Sequence, residues 1–361
     1  MSVWLALAIL FAVVGMALYR WWALRRLIVA KASVSSKDNT EATAVVPIVE
    51  RPIPFFQTET IANLNATVYS LAFSVTRFDY QILGPHREVL EAAKNAVADA
   101  VDKTQYFPRR PALLPKLLRA LNTGDTRREE IVRLILQDPV LAGNVLKRAN
   151  SAYYGQRDVI IESIDRAVAL LGNDGLRAPV ATAVLQPVFQ LPRGFFDHFA
   201  PVTWELAQRT AAAAEAFARV NRVGDGFVAH LLGLLGGLGR IVLFRMTLDK
   251  YRSHNVLPRA EVFISVMIDH EMQLTRSVAS AWELSPSFLA AIDAQREQVK
   301  PLDMTPLART LYYANLCGAL AVLYLRDGYT QEDANVLLSQ QGLSTESLDA
   351  MWAAAIREEP V

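Results

Sequence analysis

Residues 3–19 read VWLALAILFAVVGMALY and carry no charged side chain. A backbone placed in lipid must satisfy its N–H and C=O groups internally, so a lone run of this kind crosses a bilayer only as a helix. A span takes roughly 20 apolar residues, with about 17 as the lower end. Arg20, Trp21, Trp22, Arg25, Arg26 and Lys31 follow directly. The tryptophans suit the interface and Arg20 can snorkel to it. The positive side chains all lie C-terminal to the run, which predicts a single pass with the N-terminus outside and the bulk of the chain in the cytoplasm. A cleaved leader would place its basic residues before the apolar core and a small-x-small site after it; here the order is reversed. Residues 1–31 therefore read as a transmembrane anchor with a basic cytoplasmic flank. The membrane contact runs over 3–22, and the cytoplasmic (inner) membrane is the expected location. No second stretch reads as a span. Residues 307–325 are apolar but include Arg309 and Asn315, and read as a core helix.

Residues 32–57 change character to a polar, small-residue stretch followed by Pro47, Pro52 and Pro54. Such proline spacing favours extended backbone, so the segment reads as a linker. Residues 58–106 read as a helical hairpin extension. Ile61, Leu64, Val68, Leu71, Val75 and Phe78 make an a/d seam that Gly84-Pro85 breaks, and a second helix is predicted over about 86–103. The seam has two readings: packing on its own domain, or a homodimer contact through 61–78 beside the membrane.

From residue 107 to 361 the pattern is helical, with hardly any strand alternation. Thr126-x-x-Glu129 is a capping box ahead of Ile131, Leu134 and Ile135. Asp138-Pro139, Ser285-Pro286 and Thr305-Pro306 pair a cap with a proline at the first helical position. Ser163 opens a helix that Gly172 ends. Composition narrows the function. Lys+Arg of 37 against Asp+Glu of 36 leaves a formal charge of +1, unlike a nucleic-acid binder, and none is expected as a partner. A single cysteine, Cys317, excludes an internal disulfide and a Cys-based zinc cluster.

Residues 113–155 contain Leu114-Pro115, Gln137-Asp138-Pro139 and the run Ala149-Asn150-Ser151-Ala152-Tyr153-Tyr154-Gly155. Ile164 to Gly172, Trp204, GLLGGLGRIVL at 233–243, Asp269-His270-Glu271 and Trp282-Glu283-Leu284-Ser285-Pro286 follow in order. The chain thereby resembles the HDOD family, output domains of bacterial signalling proteins related to the HD-domain phosphohydrolases. The resemblance implies an all-α, HD-domain-like multi-helix bundle, here preceded by the N-terminal transmembrane helix. It also implies where metal ligands would stand in an active relative. The His-Asp pair would fall on Gly236 and Gly237, an earlier His among Glu205, Leu206 and Ala207, and late ligands near Ala294 and Gln295. None of these residues can ligate as a set. Asp269 and His270 are the residual metal candidates. The expectation is a non-catalytic signal-transduction protein without a cofactor, binding signalling proteins as a scaffold or regulator at the cytoplasmic membrane face. The alternatives are a divergent metal-dependent phosphohydrolase and a sensor that binds a nucleotide without hydrolysing it.

The glycines of GLLGGLGR match neither a P-loop nor G-x-G-x-x-G, and close helix–helix packing is the better account. Arg148, Asn150, Ser151, Tyr153 and Tyr154 are the candidates for partner or ligand binding, because tyrosine and arginine are favoured at interface hot spots. The alternative for Asn150 and Ser151 is that they cap the helix.

Overall fold

A computed structural model describes residues 59–75, 81–100, 106–108, 111, 115, 128–136, 139–153, 160–191, 194–326 and 328–357. The anchor over 1–31 and the linker over 32–57 lie outside the described residues, as do Leu114, Thr126, Asp138 and Tyr154. Among the described residues the regular structure is helical throughout.

Two helices lead the described chain, α1 (Glu59–Ala72) and α2 (Pro85–Ala100). Three more form a lobe: α3 (Arg128–Leu136), α4 (Pro139–Tyr153) and α5 (Ile164–Leu185). The bundle follows as α6 (Phe199–Val220), α7 (Gly226–Leu235), α8 (Leu238–His254), α9 (Ala260–Ala281), α10 (Pro286–Arg296), α11 (Pro306–Tyr324), α12 (Gln331–Ser339) and α13 (Thr345–Ala355). A 3-10 turn over Gln186–Phe189 joins lobe to bundle.

Local chemistry accounts for most boundaries. Pro139, Pro286 and Pro306 each stand at a first helical position, where a missing N–H costs nothing. Thr305 caps α11 by accepting from the Ala308 N–H, and Thr330 with Asp333 forms a full capping box on α12. Ser163 holds the cap position of α5 with extended backbone, without a side-chain bond. Gly172 breaks α5 as the sequence predicts: its φ of 63° and ψ of 178° are non-helical, although helical hydrogen bonding resumes beyond it.

Helix α6 is the centre of the bundle, packed against α7, α11 and α13, while α8 and α9 pack on each other and on α2. Small residues allow the close approaches. A Cβ on Gly233 would lie 2.6 Å from the Ala211 Cα, one on Gly318 would strike Thr210, and one on Gly239 would strike the Glu271 carbonyl. The packing account of GLLGGLGR is therefore the observed one.

Helix α1 belongs to this core. Leu64 and Val68 are buried in the chain's own interior and Leu71 and Val75 are half-buried. Leu64 and Val68 of the seam thus pack on the chain's own domain, the first of its two readings; the Ile61 side chain and Phe78 lie outside the described ones. At the end of α1, Phe73 joins Phe196, Phe199, Phe244, Tyr251 and Phe263 in a ring cluster with neighbouring centroids 4.7–6.3 Å apart. Residues 226–254 are long and apolar enough to cross a membrane, which the sequence reading passed over; 94% of their most apolar window is buried inside the fold, as befits core helices. Helix α11 is likewise buried, and burial pushes the Cys317 thiol up to about 12.

Candidate functional site

Two of the positions at which the resemblance places metal ligands, 207 and 237, come together. Gly236 and Gly237 form the joint between α7 and α8. A Cβ on Gly237 would lie 3.4 Å from the Ala207 Cβ of α6 and 2.6 Å from the Phe189 Cε1. Phe189 is buried and packs against Trp204 with ring centroids 4.8 Å apart. An aromatic ring and a methyl group therefore fill the space that side chains at 207 and 237 would share. The Gly236 carbonyl accepts from the Thr275 Oγ1 of α9 at 3.3 Å. Gln295 is also engaged: its Nε2 donates to the Ala308 carbonyl at 2.9 Å and so ties α10 to α11. Among the described residues no group of three or more His, Cys, Asp or Glu is placed to hold a metal ion.

Asp269, His270 and Glu271 diverge, because successive residues of a helix point about 100° apart. Asp269 pairs with Lys94 of α2 at 2.9 Å. The His270 Nδ1 lies 3.3 Å from the Gln273 Oε1 on its own helix. Glu271 turns inward, where its Oε1 sits 2.6 Å from the Arg240 Nη2 and its Oε2 accepts from the Tyr69 hydroxyl. Arg240, Glu271 and Tyr69 are all buried, and the Arg240 guanidinium lies over the Tyr69 ring at 5.9 Å. Burial drives the Tyr69 hydroxyl well above its ordinary value, and the Glu271 charge adds to it. Burial alone would lower Arg240, but Glu271 and then Tyr69 outweigh it and raise its pKa. This network was not legible in the sequence, which grouped Glu271 with its neighbours.

The 148–155 segment is divided. Asn150 is half-buried and works as a clamp: its Nδ2 donates to the Leu146 and Ile161 carbonyls, each at 2.9 Å, and its Oδ1 accepts from the Ile161 N–H at 2.8 Å. It therefore does not cap α4, which runs on to Tyr153. Asn150 instead pairs the helix with the backbone that returns toward α5. The Ser151 and Tyr153 side chains lie outside the described ones. Arg148 is exposed, and its charge acts on Glu215 of α6.

Glu215 belongs to a polar set that the sequence reading missed. Its Oε2 lies 3.0 Å from the His230 Nδ1 of α7, and its Oε1 lies 2.5 Å from the Arg219 Nη2. The His230 Nε2 is 3.3 Å from the Thr182 Oγ1 of α5. Burial would raise the Glu215 carboxyl; His230, then Arg219 and Arg148, outweigh it and hold the carboxyl below its ordinary value. Arg177 of α5 pairs with Asp225 at 2.5 Å and lies over the Phe227 ring at 4.5 Å. No local motif marks these residues; the fifteen positions from Glu215 to His230 cross a helix boundary.

The HDOD domain profile matches residues 107–298, more than half of the chain. The chain belongs to the HDOD domain family. Two solved structures share the fold of the HDOD region. One is provisionally assigned as a metal-dependent phosphohydrolase of Shewanella amazonensis SB2B, with a TM-score of 0.53 and 17% identity over 75% of this chain and 99% of that one. The other is an HDOD domain protein with unknown function from Geobacter sulfurreducens, with a TM-score of 0.50 and 19% identity over 75% of this chain and 89% of that one. An uncharacterized protein of Treponema pallidum (strain Nichols) is 25% identical over 267 residues, 70% of this chain and 50% of its own length. The chain thus spans about half the length of that curated relative.

Proposed function

We propose that this HDOD protein is a non-catalytic signal-transduction protein, anchored through residues 3–22 with its bulk in the cytoplasm. It acts by binding signalling proteins at the membrane face. The observation that carries the reading is the contact of Gly237, Ala207 and Phe189. Where an HD-type hydrolase needs converging ligands to hold a metal and activate water, this chain has a hydrogen, a methyl group and a phenyl ring. Anchoring raises the local concentration of the binding surface near membrane partners.

The test is the metal content of the full chain, purified in detergent without chelator, together with a phosphodiesterase assay. Less than about a tenth of an equivalent of Mg, Mn, Fe or Zn and no hydrolysis is expected. About one equivalent or more with hydrolysis lost on changing His270 or Asp269 would establish the phosphohydrolase reading instead. Orientation is checked separately: a cytoplasm-dependent reporter fused at the C-terminus is expected to be active, and activity only outside would overturn the topology.

A further inference from the structure

We propose that one end of the bundle docks on an anionic bilayer surface, with Leu83, Phe195 and Leu257 entering the lipid. The inference extends the membrane-face reading above and rests on it only for the nearness of a bilayer. Several segments meet at this end. Phe73, just past α1, packs on Phe196, just before α6, with ring centroids 4.9 Å apart. The His86 Nδ1, in the first turn of α2, lies 3.2 Å from the Tyr251 hydroxyl near the end of α8. Arg259, between α8 and α9, donates to the Gln81 carbonyl at 3.3 Å.

Three loops at this end each hold one large apolar side chain in water. Leu257 is 77% exposed, Leu83 62% and Phe195 48%. Their neighbours Phe196 and Tyr251 join the ring cluster, so an apolar interior lies within reach of two of these loops. Clustered apolar exposure of this kind marks an interaction surface. Between Phe195 and Leu257 lies an open hollow of about 480 Å³, with Leu248, Tyr251 and Val256 on its walls. Arg252 is the one charged residue that lines it. Separate protruding side chains on three loops suit a fluid surface, which closes around each of them, better than a rigid partner of fixed contour.

The charges select anionic lipid. Arg87, Lys250 and Arg252 have no carboxylate partner among the described residues. The acids nearby are engaged by the chain itself. Asp249 accepts from the Tyr106 hydroxyl at 2.6 Å, Asp197 from the Gly194 N–H at 2.9 Å, and Glu261 pairs with Arg259 at 3.1 Å. Glu88 stands in the first turn of α2, where the helix N-terminus favours it. Anionic headgroups supply the partners that the three basic side chains lack, and their long stems let the charge stay at headgroup level while the leucines go deeper. Anchoring keeps lipid at high local concentration, so a weak face is enough to orient the domain. The far end of α6, about 33 Å away, then points into the cytoplasm.

The experiment uses the full chain in vesicles of phosphatidylcholine with and without phosphatidylglycerol. Ser253→Cys, exposed beside Arg252, carries an environment-sensitive fluorophore, and brominated lipid is the quencher. Native Cys317 is buried with its thiol pushed up to about 12, so the new cysteine alone is labelled. Thr345→Cys is the control, since the neighbouring Ser347 meets Asn221 at the far end of α6. A blue shift and quenching at 253, but not at 345, are expected with phosphatidylglycerol. Leu83→Gln with Leu257→Gln should lower the docked fraction about tenfold, as should Arg87→Gln with Arg252→Gln, with thermal midpoints unchanged. Equal burial at 345, equal burial on phosphatidylcholine alone, or an undiminished signal in the leucine variant overturns the face. An alkaline carbonate wash tests the anchor separately. A chain retained by the wash whose 253 probe stays in water on every vesicle overturns docking and leaves the anchor standing. A chain lost in the wash that still floats with anionic vesicles at neutral pH, and no longer does so as the leucine variant, upholds docking and overturns the anchor.

Discussion

The interior of the bundle and its edge against the lobe use charged side chains in opposite ways. In the bundle, Arg240 and Glu271 are sealed with Tyr69 in the interior, with side chains only 6% and 5% exposed. At the bundle's edge, the Arg177–Asp225 pair, which crosses to the lobe, and the Arg219–Glu215 pair within α6 sit at a cleft, with Asp225 41% and Arg219 68% exposed. A sealed pair has no water to fall back on, so it fixes one arrangement of α1, α8 and α9. A pair at a cleft can trade partners at small cost, because solvent and neighbouring groups replace what is lost. The first kind defines a scaffold and the second a joint.

Breaking the sealed pair should have the largest effect. Arg240→Met leaves the Glu271 carboxylate buried and uncompensated, and should cost about 3–5 kcal/mol in denaturant unfolding. Tyr69→Phe, Arg240→Met and Glu271→Met together should recover most of that loss; a triple variant no better than the single one would show that the network contributes more than charge balance. Next comes Gly239→Ala, whose new methyl meets the Glu271 carbonyl and Thr275. It should cost about 1–3 kcal/mol and move α8 relative to α9, seen as a lowered thermal midpoint. Asn150→Ala should cost about 1–3 kcal/mol, but locally. Amide exchange over 139–153 should quicken while exchange in α6 and α11 stays unchanged; an equal change in both regions would show that lobe and bundle unfold as one.

The smallest effect is a dependence on pH. The Glu215 carboxyl titrates below its ordinary value in the folded chain, so its contribution is present above the unfolded carboxylate pKa of about 4.3 and fades as pH falls through the lower folded value. Glu215→Gln should flatten the acid side of the stability profile, read from thermal midpoints between about pH 3 and 6. An unchanged acid limb would mean that His230 and Arg219 do not stabilise the ionised form.

Much of the helix layout was legible because helix ends are local chemistry. Pro139, Pro286 and Pro306 announce their helices, and Gly172 announces its break from one residue's backbone freedom. Burial by periodicity also held in α3: Ile131 and Ile135 are buried and Leu134 is half-buried. Periodicity tells which face is buried, not against what. The seam of α1 was readable as apolar, but its partner was not. Tyr69 meets Glu271 across 202 positions, and nothing local to either residue encodes the other. The divergence of Asp269, His270 and Glu271 was available from helical geometry alone. The clamp made by Asn150 was not, since it depends on where Ile161 returns. Gly236 and Gly237 were readable as residues unable to ligate. That Phe189 occupies the vacated space could come only from coordinates.

The bond from Tyr69 to the buried ion pair also sets the limits of this domain as a heritable part. The family match begins at residue 107, yet the buried Glu271 carboxylate takes a hydrogen bond from a hydroxyl at residue 69. A gene fusion that carried only the matched region to a new chain would leave behind one member of a sealed network and the Phe73 edge of the ring cluster. The copy would arrive with a charged pair opened to solvent and an apolar groove beside it, a combination that invites aggregation. In this lineage the preceding helix and the HDOD region should therefore travel, and be lost, together.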